Sequence, residues 1–303
     1  MVKSDEPGYS VASSISASSS SATSSSRTSS SSRTSSSSAS ACPGIMSTSF
    51  CWLWMMKSTR ESICSKWKII DGKRVLVKSG VGAFNQEPYN EVAATELHRR
   101  LLEPGTYTEY RLITEDRRVY SACDNILRDN EELVSAYDLI RRRKQSDNES
   151  DLMFYVRCCE ELGIHDVMDG LARMFACDYV LANRDRHWRN FGVMRDVETL
   201  RGTRLAPIFD TGSCLWSDVP QLELPIDFKY TAKPFKYDGM RPYDQLRLFE
   251  GHLGWVSERA LADFCDCVGD VLGANPNIAS ARMDAIVDSV RDLVADVVFV
   301  SRL

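Results

Sequence analysis

The stretch that most constrains this chain is LANRDRHWRNFGV, residues 181–193, where two Asn, one Asp, one His and three Arg sit between apolar runs. Charge at that density is costly to bury without partners, so the segment is either a solvated turn or a convergence on something polar. The pattern before it, Val167, Leu171, Met174 and Leu181 at helical spacing, predicts a helix over 166–182. After it come two short strand patterns, FGVM at 191 and LAPIF at 205. Two antiparallel strands over 191–194 and 205–209 would carry Asn190 and Asp210 to the same end of a hairpin. A helix, a polar loop and a hairpin ending in Asp therefore frame the centre of the molecule.

The chain leading to this segment is organised differently. Of the 31 residues from Ser10 to Ser40, 20 are Ser, too little apolar surface to offset ordering entropy, so residues 1–45 read as a disordered leader. FCWLWMM, residues 50–56, is apolar enough for a buried strand but too short to separate strand from helix. KWKIIDGKRVLVKSG then reads as two strands joined at Asp71-Gly72, with Lys78 ending the second. EPYNEVAATELHRRLL is a helix with Pro88 in its first turn, a buried stripe of Ala93, Leu97 and Leu101, and Glu91 at the edge of that stripe. A second hairpin turns at EDRR. Beyond Asp147 helices dominate, at 151–162, at 166–182 and in a tail from about Ser257 to Val300. The expected architecture is α+β, with a β-rich part over 46–146 and a helical part over 147–303.

Composition narrows the function. Net charge is −5 and the one basic run, RRRK at 141–144, leads into polar QSDNES, which favours a solvated loop over a nucleic-acid patch. The 10 Cys include no CxxC pair, against a zinc or disulfide framework. No apolar run is long enough to cross a membrane and no secretory signal opens the chain, so the expected setting is the cytoplasm.

The two lobes and the polar loop fit phosphoryl transfer. That reaction needs a carboxylate to orient the attacking hydroxyl, oxygen ligands for Mg²⁺ and a cation on the phosphates. In protein kinases the catalytic Asp is followed five residues later by a metal-binding Asn, and a further Asp at a strand end binds metal again. Asp185 and Asn190 have that spacing, and Asp210 follows LAPIF.

NRDRHWRNFG followed by LAPIFDTG resembles the kinase motif of the HipA-like serine/threonine kinases, in its short phage-associated or secreted branch. VLVKSG and NQEPYNEVAATEL are similar to that family's nucleotide-lysine strand and the helix behind it, so the likeness spans roughly residues 60–270. It implies a kinase-like bilobal fold using ATP and Mg²⁺, with Asp185 as catalytic base, Asn190 and Asp210 as metal ligands, Lys78 on the phosphates and Glu91 as its partner. It implies a protein substrate and offers a DNA-binding antitoxin as a partner. It also lays STRESICSKWK over the phosphates, with Ser62 and Ser65 as candidates for self-phosphorylation and Lys66 beside them.

Each residue has a plainer reading. Lys78 could be a solvated edge lysine, Glu91 a helix-dipole residue, Asp210 a turn former, and His187 and Asn183 supports of the loop. Residues 57–67 contain no Gly, where the family's phosphate loop carries small residues. A small-molecule kinase and a catalytically weak nucleotide-binding or interaction protein are therefore the rival functions.

Overall fold

In the computed structural model, residues 65–81, 84–219, 231–235 and 239–303 are described. They belong to one unit, Ser47–Leu303. The FCWLWMM run and Ser62 lie outside the described residues.

The first hairpin pairs β1 (Ser65–Ile70) with β2 (Lys73–Ser79) in the register Ser65↔Lys78. Its turn residues Asp71 and Gly72 both have positive φ, +50° and +74°, the conformation that lets a two-residue turn follow the strands' twist. The second hairpin, β3 (Tyr110–Glu115) and β4 (Arg118–Asp124), turns on Asp116 and Arg117 with φ of +48° and +64°. The four strands order as β1-β2-β4-β3, so β2 is interior and its Val75, Leu76 and Val77 are fully buried.

Helix α1 (Glu87–Leu101) packs between this sheet and a C-terminal helix. It buries the expected Ala93 and Leu97 but also Tyr89, Asn90, Glu91, Ala94, Thr95 and His98. A helix enclosed from two sides has no wide solvated face. That is why polar side chains of α1 end up inside.

A second sheet, ordered β5-β6-β7, contains a strand with little sequence signal, β5 (Glu131–Ser135), beside β6 (Gly192–Asp196) and β7 (Gly202–Leu205). At Gly192 a Cβ would lie 2.1 Å from the Val134 carbonyl, so β6 can start against β5 only with glycine there. The expected strand 205–209 is displaced: β7 ends at Leu205, and Ile208 bridges in parallel to Tyr107. Pro207 has no N–H to continue the β6 ladder. The extended chain changes partner, with Ile208 N donating to Thr106 O (2.9 Å) and Thr108 N to Ile208 O (2.8 Å).

The helices follow from their caps and stripes. Ser135 accepts from Asp138 N at the start of α2 (Ala136–Ile140), and Ser150 from Met153 N at the start of α3 (Asp151–Glu160). Helix α4 (Val167–Val180) is the central one, with Leu171, Ala172 and every residue from Met174 to Val180 buried. The expected tail is broken into α6 (Glu258–Leu261), α7 (Phe264–Gly273) and α8 (Ser280–Val300), after a short α5 (Pro242–Arg247). Among the described residues no helix is long and apolar enough to cross a membrane.

Candidate active site

Lys78 lies on an interior strand and is 6% exposed, which removes the solvated-edge reading. Its Nζ lies 2.6 Å from Glu91 Oε1 and 2.6 Å from Asp210 Oδ1. Burial pulls the lysine's pKa down, but the two carboxylates outweigh it and hold the ammonium charged. Asp210 is likewise opposed by burial, yet Lys78, followed by Arg186, keeps its carboxyl below the ordinary value. Burial dominates at Glu91 and raises it despite Lys78. One ammonium between two carboxylates thus favours the anion on Asp210.

Glu91 does more than face the lysine. Its Oε2 accepts from Thr211 N (3.1 Å), tying α1 to the chain just past Asp210. Asn90 continues the link by donating to the carbonyls of Gly212 and Cys214, both at 2.8 Å. A Cβ on Gly212 would lie 3.3 Å from the Glu91 side chain, a tight contact that would press on Glu91. Asp210 itself has φ of +59°, and its N donates to the Tyr110 hydroxyl (3.5 Å), whose ring also lies 5.4 Å from Lys78 Nζ.

The loop that carries Asp185 is built around a residue to which sequence reasoning gave no role. Arg186 is 2% exposed and forms a two-pronged pair with Asp178 of α4, Nε to Oδ2 at 2.7 Å and Nη2 to Oδ1 at 2.9 Å. Its Nη1 donates to two carbonyls at once, Asn190 O (2.6 Å) and Phe209 O (2.8 Å). A single guanidinium therefore fixes the backbone at both metal-ligand candidates relative to the helix. Asp178, the lone charge in the stretch from Met174 to Ala182, is the sequence signal for it.

Asn183 supports the same loop: its Nδ2 donates to Asp178 Oδ1 (2.7 Å) and its Oδ1 accepts from Asp185 N (3.1 Å). Asn190 Nδ2 donates to Asp185 O (2.9 Å), a bond that does not use its amide oxygen. His187 Nδ1 accepts from Arg189 N (3.2 Å), a bond that supports the turn of the loop. Trp188 and Phe191 pack with Tyr155 and Phe235 in an aromatic cluster, the Trp188 and Phe235 rings 5.1 Å apart. Asp185 is less enclosed, its side chain 29% exposed, with Lys233 Nζ 3.7 Å from Oδ1.

The structure thus joins Lys78, Glu91 and Asp210 directly, Asp185 and Asn190 directly, and the two groups through Arg186. Ser65 is opposite Lys78 in the hairpin and therefore on the same sheet face; its Oγ is buried without a hydrogen-bond partner. Lys66 does not join them. Strand alternation puts it on the other face, where its Nζ lies 3.5 Å from Glu115 and over the Tyr120 ring.

The donors present suit Mg²⁺. Asp210 commits one oxygen to Lys78 and its side chain is 18% exposed, and Asn190 adds an amide oxygen. Mg²⁺ takes one or two protein oxygens and completes its shell with water and substrate phosphates. Among the described residues no cluster of three or more His, Cys, Asp or Glu could hold a metal alone.

No protein-family model matches the chain. No curated protein matches it either. Among solved structures it is similar to the crystal structure of a Helicobacter pylori proinflammatory kinase, CtkA, with a TM-score of 0.61 over 78% of this chain and 92% of that one, at 18% identity. The chain has a kinase-like fold. At that identity the likeness carries the architecture, and the HipA resemblance rests on the motif residues themselves.

Proposed function

We propose that this protein is an ATP- and Mg²⁺-dependent kinase that transfers the γ-phosphate to a Ser or Thr hydroxyl of a protein. The observation that carries the reading is the buried Lys78 ammonium held between Glu91 and Asp210, beside a loop that presents Asp185. Lys78 would bind the nucleotide phosphates. Asp210 and Asn190 would hold the metal, which when bound neutralises phosphate charge. Asp185 would accept a hydrogen bond from the attacking hydroxyl, orient it, and take its proton as transfer proceeds. The preference for a protein acceptor comes from the HipA resemblance, which also offers a DNA-binding antitoxin as partner.

The test compares the wild type with Asp185→Asn in transfer from γ-labelled ATP to lysate proteins and to metabolites. The substitution keeps volume and removes the carboxylate, so transfer should fall about 10²- to 10⁴-fold while ATP affinity is kept. Near-normal turnover in Asp185→Asn would remove Asp185 from the mechanism. Label found only in metabolites would move the proposal to a small-molecule kinase, and no transfer at all to a nucleotide-binding protein.

A further inference from the structure

The catalytic carboxylate has a cationic neighbour that the motif does not contain. Lys233 lies 48 residues after Asp185 in sequence, yet its Nζ is 3.7 Å from Asp185 Oδ1. The separation is too long for a direct hydrogen bond, so an oxygen could contact the ammonium without displacing the carboxylate. The lysine side chain is 47% exposed, and an ion pair so placed contributes about 0–1 kcal/mol to stability. A structural role is therefore a weak account of it.

The backbone under Lys233 is fixed on both sides. Ala232 N donates to Met240 O (2.9 Å), and the Phe235 carbonyl accepts from Gln245 Nε2 (2.9 Å). Ala232 and Phe235 are each 2% exposed. The Phe235 ring packs edge-on against Trp188, three residues after Asp185. The segment that carries Lys233 is thus seated against the catalytic loop itself, with the ammonium as its solvent-facing end.

Lys78, the other lysine of the site, is committed to two carboxylates and is buried. In a loose phosphoryl transfer the charge spreads over the three outer oxygens of the migrating group, which passes between nucleotide and acceptor beside the catalytic carboxylate. We propose that Lys233 is a second phosphate-binding cation of this site, contacting the γ-phosphoryl oxygens of the nucleoside triphosphate during transfer. This rests on the kinase reading above. In the step, the acceptor oxygen bonds to the γ-phosphorus as the bond from phosphorus to the β,γ-bridging oxygen breaks. The electron pair of that bond leaves with the diphosphate, and the hydroxyl proton goes to Asp185. Lys233 makes and breaks no covalent bond; it offsets the charge of the moving group and holds it between the acceptor oxygen and the leaving diphosphate.

The test uses the full chain with Lys233→Met, which keeps length and removes charge, and Lys233→Arg, which restores charge. Three quantities are read: transfer from γ-labelled ATP, calorimetric affinity for ATP and for ADP, and melting temperature. The expected result is a fall in kcat of roughly 10²-fold in Lys233→Met, partial recovery in Lys233→Arg, weaker ATP binding, and unchanged ADP affinity and melting temperature. Unchanged or faster transfer in Lys233→Met overturns the assignment, as does a parallel loss of ADP affinity, because ADP lacks the group that Lys233 would touch. A wild type that transfers no phosphate sinks the kinase reading and this assignment together. An active wild type with an unaffected Lys233→Met sinks this assignment alone.

Discussion

Arg186→Met should damage the protein twice over, in stability and in site geometry. The substitution leaves the Asp178 carboxylate, 5% exposed, with Asn183 Nδ2 as its one side-chain donor among the described residues. It also removes the donor to the carbonyls of Asn190 and Phe209. Breaking a buried pair by deleting one partner costs about 3–5 kcal/mol. A carbonyl that loses its donor where water cannot reach it costs about 1–3 kcal/mol, and the Asn190 carbonyl loses Arg186. These terms overlap, because the loop can relax toward solvent, so about 4 kcal/mol is a fair expectation from the pair alone. For a domain of this size, about 2–4 °C is lost per kcal/mol, which puts the melting temperature roughly 8–16 °C lower. A double variant, Arg186→Met with Asp178→Leu, should recover most of that loss, since replacing both partners leaves no buried charge. It should not recover phosphoryl transfer, because the carbonyls of Asn190 and Phe209 no longer share the Arg186 donor. Thermal and urea unfolding read the first part and γ-phosphate transfer the second. A single variant within about 2 °C of wild type, or a double variant with wild-type transfer, would refute the reasoning.

Asp210→Ala should weaken Mg²⁺-dependent ATP binding by about tenfold or more, the equivalent of about 1.4 kcal/mol, while binding in the presence of a chelator changes little; unchanged Mg²⁺-ATP affinity in calorimetry would show that Asp210 is not a ligand. His98 is buried on α1 with neither ring nitrogen hydrogen-bonded; burial first, and the nearby Arg186 charge second, lower its pKa to about 3. Its folded pKa thus lies below the unfolded one of about 6.5, so the unfolded chain binds the extra proton and stability falls as pH drops below that value, by about 1.4 kcal/mol per pH unit down toward the folded pKa. Urea unfolding at pH 6.5 and pH 5 should show His98→Leu free of roughly 2 kcal/mol of that loss, and equal pH slopes in the two proteins would contradict the assignment.

Local rules carried the parts of this protein that local rules govern. The turn at Asp71-Gly72 was legible because a two-residue hairpin turn needs positive φ at both positions. It also fixes the register, and with it the parity: with Ser65 opposite Lys78, Lys66 lies on the other face of the sheet. The spacing of Asp185 and Asn190 is a property of one loop, closed by the bond from Asn190 Nδ2 to Asp185 O. The strand before Asp210 ends a few residues earlier than its pattern predicts, since Pro207 passes the chain from β6 to Tyr107, a partner about 100 residues away in sequence.

What only the tertiary structure decided is which charges meet. Lys78 and Asp210 are 132 residues apart, Glu91 and Thr211 are 120 apart, and Lys233 reaches Asp185 across 48. Periodicity says which face a side chain takes, but not which distant element covers that face. The same limit hid Arg186, one of three arginines in its loop, until α4 supplied the buried carboxylate of Asp178. A charge enters a core only where another segment brings its partner, and that meeting is a property of the packed chain.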